Sequence, residues 1–101
     1  MKMYNPPHPG EVIKNLWLDE LNIRIRQLAQ SLNVAPSTIA RLINGKADVS
    51  PEMAIRLSKV LGRTPQSWLA MQDNYSVWKL EQQKDFSQLS RLDCSHIAHA
   101  V

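Results

Sequence analysis

The 101-residue chain is predicted to fold as an all-α domain of five helices, and three observations carry that prediction. Apolar residues recur at spacings of three and four, with no alternating run of β-branched residues. Prolines 9, 36, 51 and 65 each stand where a helix would take its first turn, the position at which a missing N–H costs nothing. Asn22, Asn33, Gly45 and Gly62 stand where the first four helices would end, and all four accept the left-handed conformation. With 44% hydrophobic residues, a chain of this length suits one compact domain with a modest core.

The first helix starts after Pro9 in "HPGEVIKNLWLDEL", with His8 capping or preceding it. It places Val12, Ile13, Leu16 and Trp17 on one face, with Leu21 a turn further on. The second, "RIRQLAQSLN", aligns Ile25, Leu28, Ala29 and Leu32 and breaks at Asn33. The third runs from Pro36 in "VAPSTIARLINGK" to Gly45, with Val34 stapled against Ile39. The fourth has a full N-terminal signal: Ser50 as cap, then Pro51, then Glu52 in the positive first turn. The fifth, "TPQSWLAMQDNYSVWKLEQQ", repeats the device with Thr64 and Pro65 and runs about five turns. A domain over residues 1–82 is expected. Residues 83–101 read as a tail, either a short helix around Phe86, Leu89 and Leu92 or no fixed structure.

Composition narrows the function classes. No apolar run approaches membrane-spanning length, and "MKMYNPPHPG" lacks the apolar core of a signal peptide. Cys94 is the single cysteine, so no intrachain disulfide forms, and the cytoplasm is the expected compartment. The net charge of +3 is unevenly spread. Between residues 22 and 63 lie Arg24, Arg26, Arg41, Lys46, Arg56, Lys59 and Arg63 against only Asp48 and Glu52, while the flanking segments are neutral or slightly acidic. A polyanion is the natural partner for such a segment, the alternative being a solvated face. Catalysis finds no Ser-His-Asp or Cys-His constellation and no glycine-rich phosphate loop. Cys94, His96 and His99 crowd the chain end without a fourth ligand, so neither metal nor cofactor is expected, and no enzyme.

The linker between the second and third helices is only three or four residues long, too short for antiparallel packing along their length. They must cross steeply. Ala29 lets the backbones approach, Asn33 supplies the positive φ of the turn, and Val34, Ile39, Leu42 and Ile43 fill the angle. That geometry pushes the first half of the third helix outward, as major-groove reading requires. Ser37, Thr38 and Arg41 project together from it. The hydroxyls can serve base edges as donor or acceptor, and Arg41 can fork onto guanine O6 and N7. Asn44, the Gly45 backbone and Lys46 stand at the far end, within reach of phosphate. The rival interpretation makes Ser37 and Thr38 helix starters and Arg41 a solvated charge.

The segment "QLAQSLNVAPSTIARLINGKADVSPEMAIRLSKVLG" resembles the helix-turn-helix of the phage-repressor-like (XRE/Cro) proteins. "HPGEVIKNLWLDELNI" before it and "TPQSWLAMQDNYSVWKLE" after it are similar to the HigA-type antitoxins, the VapI family, so that the resemblance spans residues 7–82. It implies a lambda-repressor-like five-helix domain in a bacterial cytoplasm, binding double-stranded DNA as a homodimer and repressing its own operon. It also implies a partner toxin of the RelE/HigB-like type. Pro36–Asn44 becomes the recognition helix, with Ser37, Thr38 and Arg41 as base readers. The phosphate contacts become Arg24, Arg26, Gln27, Pro36, Asn44 and Lys46. Two departures stand out. Relatives often open the second helix with Ser or Thr followed by a bracing Gln, where this chain has Arg24 and Ile25, and the usual turn Gly is Asn33.

Trp68, Met71, Tyr75 and Trp78 form one stripe along the fifth helix, flanked by Leu69 and Val77. Part of it must cover the core, yet it carries more large apolar surface than a small core absorbs. A two-fold dimer interface through these four residues is expected, with pure core packing as the alternative. Two half-sites about one helical turn apart, roughly 34 Å, would then make the operator a pseudo-palindrome. The expected function is a sequence-specific DNA-binding autorepressor. The alternative is a toxin-neutralising protein-interaction module with secondary DNA binding or none, for which Met1–His8 and the tail are the unassigned segments.

Overall fold

The computed structural model describes residues 5–93. Among these the chain is helical throughout, with no strand: α1 (Pro9–Ile13), continued by a π-helical stretch (Lys14–Asp19), then α2 (Ile25–Leu32), α3 (Pro36–Ile43), α4 (Pro51–Leu61) and α5 (Pro65–Gln83). The five-helix all-α prediction holds. Each of the four prolines occupies the first turn of its helix. Ser50 Oγ accepts from Met53 N–H at 3.1 Å and Thr64 Oγ1 from Ser67 N–H at 3.0 Å, each satisfying a donor that the helix itself cannot. His8 caps α1, its Nδ1 accepting from Gly10 N–H at 2.9 Å.

The C-terminal ends of α2 and α3 share one closure. Asn33 takes φ 57°, and Val34 N–H reaches back to the Ala29 carbonyl while Asn33 N–H bonds that of Gln30. Gly45 takes φ 72° in the same arrangement, with Lys46 N–H on the Arg41 carbonyl and Gly45 N–H on that of Leu42. Both are Schellman motifs, in which a left-handed residue turns the chain so that two orphan carbonyls are satisfied. Asn22 adopts φ 54° where the first helical segment ends, and Ile23 N–H returns to the Leu18 carbonyl at 3.0 Å.

The first helix departs from the sequence pattern. A regular α-helix would bring Leu16 inward, but Leu16 is 55% exposed and Leu21 59%, whereas Leu18 is buried. The cause is the π-helical stretch. An i→i+5 repeat adds a residue to the turn, so the core position after Ile13 falls at Leu18.

Ile13, Leu18, Leu28, Ala29, Leu32, Ile39, Leu42, Val49, Ala54, Leu57 and Trp68 form one core to which every helix contributes. Trp68 is fully enclosed. Its ring lies 5.8 Å from that of Trp17, and its Nε1 donates to the Gly62 carbonyl at 3.0 Å, so its one polar atom is paired. Burial of this residue corrects its expected place in a dimer interface, because it has no surface left to offer a second copy. The stripe divides by depth: α5 is anchored through Trp68 and Gln72, and beyond them Val77 and Leu80 are exposed. Residues 84–93 form no helix; Phe86 and Leu89 are joined by a turn, with Leu89 N–H on the Phe86 carbonyl at 3.0 Å. Cys94, His96 and His99 lie outside the described residues.

Candidate nucleic-acid interface

The interface grows from the α2–α3 pair. Leu28, Ala29 and Leu32 of α2 and Ile39 and Leu42 of α3 are buried, so each helix has one committed face. Ala29, at 1% exposure, lies in the crossing, where a longer side chain would hold the helices apart. With Ile39 and Leu42 fixed inward, helical geometry turns Ser37, Thr38 and Arg41 outward, and all three are exposed.

The six expected phosphate contacts, Arg24, Arg26, Gln27, Pro36, Asn44 and Lys46, are exposed as well. Gln27 does more than its sequence position suggested. Its Oε1 accepts from the Arg24 N–H at 2.9 Å, which is half a capping box. The guanidinium of Arg24 has no acceptor to complete the other half. The N-terminus of α2 therefore keeps part of the bracing that its Arg-Ile opening lacked. The Gln27 amide NH₂ and the Arg24 guanidinium are exposed donors suited to a phosphate. The Gly45 backbone, by contrast, is spent. Its N–H and that of Lys46 close α3, so the exposed donors left at that end are the Asn44 and Lys46 side chains.

Not all the basic residues of the segment face outward as free charges. Arg56 Nη1 donates to the Leu32 carbonyl at 2.8 Å, and its other nitrogens lie 3.3–3.4 Å from Glu52 Oε2. It caps the negative end of α2 from α4 and ties the pair to the rest of the domain. Arg63 sits over the Trp68 ring at 5.8 Å.

Gly10 and Gln72 escaped sequence reasoning, as did the buried contact of His8, which the sequence placed only at the start of the first helix. Gly10 packs against the end of α3: a β-carbon there would lie 2.8 Å from the Ile43 Cα and closer still to the Leu42 carbonyl oxygen. His8 is buried beside Tyr75, edge to face at 4.9 Å. Burial pushes its pKa down, more than the Asp48 charge, the Ala47 carbonyl and the Glu11 charge push it up, while the Lys79 charge adds to the depression. Gln72, buried, accepts from Val49 N–H at 2.8 Å and donates to Asp48 Oδ1 at 3.2 Å and Ser76 Oγ at 3.0 Å. One signal could have found Gln72. It lies one turn after Trp68, on the face that must be buried, and a polar side chain there needs partners.

A short helix with one buried and one exposed polar face, crossing a braced partner and flanked by basic side chains, defines a helix-turn-helix protein. The family model described as helix-turn-helix matches residues 15–68. The chain belongs to this family, and within it to the XRE/Cro-type proteins of the HigA/VapI-like antitoxin group. It is 49% identical to an uncharacterized HTH-type transcriptional regulator, YddM, of Escherichia coli K12, over 91% of this chain and 97% of that one. Antitoxin HigA-1 of Vibrio cholerae is 36% identical over 72% of this chain and 69% of its own length. Among solved structures, antitoxin GraA in complex with its operator matches with a TM-score of 0.79 at 33% identity, covering 91% of this chain and 95% of that one.

Proposed function

We propose that this protein is a non-catalytic, sequence-specific DNA-binding regulator that reads a pseudo-palindromic operator in the major groove as a homodimer and represses its own operon. The observation that carries it is the division of α3: Ile39 and Leu42 locked in the core, Ser37, Thr38 and Arg41 exposed on the far side. Ser37, Thr38 and Arg41 are the base readers. Arg24, Arg26, Gln27, Asn44 and Lys46 grip the phosphates on either side and set the register, while Pro36, which has no N–H to donate, meets the sugar-phosphate backbone by packing alone. The relative GraA, captured with its operator, supports this reading.

The dimer is formed by the outer part of α5, where Tyr75 and Trp78 remain half-buried and Val77 and Leu80 are exposed. The antitoxin names of GraA and HigA-1 favour a second activity of the same chain, neutralisation of a RelE/HigB-like toxin.

Selection of bound fragments from a random DNA pool at near-physiological salt tests the first activity. Enrichment of a pseudo-palindrome with half-sites about one helical turn apart is expected. Folded protein that enriches nothing would remove the operator reading. Copurification with the product of an adjacent small reading frame tests the second.

A further inference from the structure

The loop after α3, residues 44–50, carries Lys46 beside the recognition helix, and in its middle the Ala47 carbonyl faces the buried His8. At its start the Gly45 and Lys46 amides close α3. At its end Ser50 caps α4. Between them, Val49 is buried and Asp48 is exposed, and both are held by one side chain from α5. Gln72 presents its carbonyl oxygen to the Val49 N–H and its NH₂ to the Asp48 carboxylate, so the amide can take only one orientation. Ser76, one turn further along α5, accepts the other amide hydrogen. The platform beneath is rigid, because Trp68, one turn before Gln72, is enclosed and hydrogen-bonded.

We infer that Gln72 is a positioning residue for DNA binding: its amide sets the 44–50 loop, and with it the place of Lys46 against the phosphate backbone. This rests on the DNA-binding reading above. Core filling alone does not explain the residue. An apolar side chain of similar size would fill the same space, but it would leave the buried Val49 N–H unpaired and Asp48 free to swing. Gln72 belongs to no element expected to touch DNA. It acts two residues from Lys46, through the backbone that carries it.

The test is a double-mutant cycle on operator binding, combining Gln72→Glu with Lys46→Ala. Gln72→Glu keeps the acceptor for Val49 and sets a carboxylate against Asp48. It should weaken operator binding roughly five- to tenfold near 0.15 M salt and lower the salt slope by about one, with the selected base preference unchanged. Lys46→Ala should then cost less than about twofold more in that background. A merely structural residue would not move this coupling. If the two losses multiply, or if folded Gln72→Glu binds with wild-type affinity, the positioning role is overturned. Gln72→Met takes the place of Gln72→Glu in the cycle if the latter melts below assay temperature.

Hydrogen exchange on the wild type needs no variant. The Val49 amide should be protected in the free protein as well as the amides inside α4 are, and loop-like exchange there overturns the proposal. Failure of the parent reading looks different, since the wild type would then enrich no DNA site at all.

Discussion

Gly10 of α1 lies against the backbone of Leu42 at the end of α3, so closely that no β-carbon fits between them. Backbone on both sides means that nothing can rotate away. Gly10→Ala should force α1 off α3 and destabilise the domain by about 1–3 kcal/mol, the usual cost of overpacking. Denaturant unfolding measures it. Because the displaced contact is the floor of α3, operator affinity should fall even at temperatures where the variant is folded. Unchanged stability would mean that the two helices do not approach as described.

Arg41 and Lys46 should fail differently when truncated. Arg41→Ala should cost roughly 1–3 kcal/mol and relax preference at one base position per half-site. Lys46→Ala should weaken binding to all sequences and reduce the salt slope by about one. Titrations at several salt concentrations, against the selected site and a scrambled one, separate the two. If Arg41→Ala leaves both affinity and preference intact, α3 is oriented otherwise.

His8 gives the fold a pH dependence of known sign. Its Nδ1 accepts from Gly10 N–H, so the neutral ring carries its proton on Nε2, and charging the ring would place a second proton where the cap is made. Burial also disfavours the charged form, and the folded pKa lies below the ordinary value of 6.5. The unfolded chain therefore binds more protons than the folded one between those two values. Stability is present above about pH 6.5 and is lost as pH falls through the folded pKa. Melting temperature should drop as pH falls below about 6.5. His8→Asn, which can cap without titrating, should flatten that part of the profile. An equally steep profile in His8→Asn would place the effect elsewhere.

Much of this was legible in the sequence because local rules and the tertiary structure agree. Pro36, Pro51 and Pro65 start helices, Asn33 and Gly45 end them, and the spacing of Ile39 and Leu42 fixes which face of α3 is outward. Two things were not legible. The π-helical stretch moved the core position from Leu16 to Leu18, and nothing in a run of leucines and tryptophans announces an added residue per turn. The supports from beneath are the second kind. Apart from the His8 cap and the Gln72–Ser76 bond, Gly10, His8 and Gln72 act through contacts with residues 23 or more positions away, and spacing along one helix carries no record of such partners.

Arg56 provides a third stability test, on a residue that the sequence counted only as charge. It donates to the Leu32 and Asn33 carbonyls at the end of α2 and lies against Glu52. Glu52 is largely exposed, so the ion pair itself contributes little. The partly buried bond to the Leu32 carbonyl matters more. Arg56→Ala should therefore lose about 1–2 kcal/mol, while Glu52→Gln should lose less than about 0.5. Equal losses would show that the ion pair, not the cap, is what Arg56 supplies.

The dimer prediction follows from how α5 is divided. Trp68 and Gln72 hold its first half inside the domain. Beyond them Val77 is 55% exposed and Leu80 46%, and the Trp78 Nε1 is buried without a hydrogen-bond partner among the described residues. Val77 and Leu80 contribute little to the core of the single chain, so Leu80→Asp should leave the melting transition of the monomer nearly intact. Placed against its own copy across a two-fold axis, the same aspartate would meet a like charge and an apolar surface, which disfavours association. Sedimentation should show a dimer for the wild type and a monomer for the variant. Affinity for the full operator should fall toward that for a single half-site, because the second half-site no longer benefits from the first. Trp68→Ala should behave in the opposite way, losing about 3–5 kcal/mol of stability from the core before any effect on association can be read. If Leu80→Asp remains dimeric, the two-fold contact lies on another face, and the exposed end of α5 is free for a different protein.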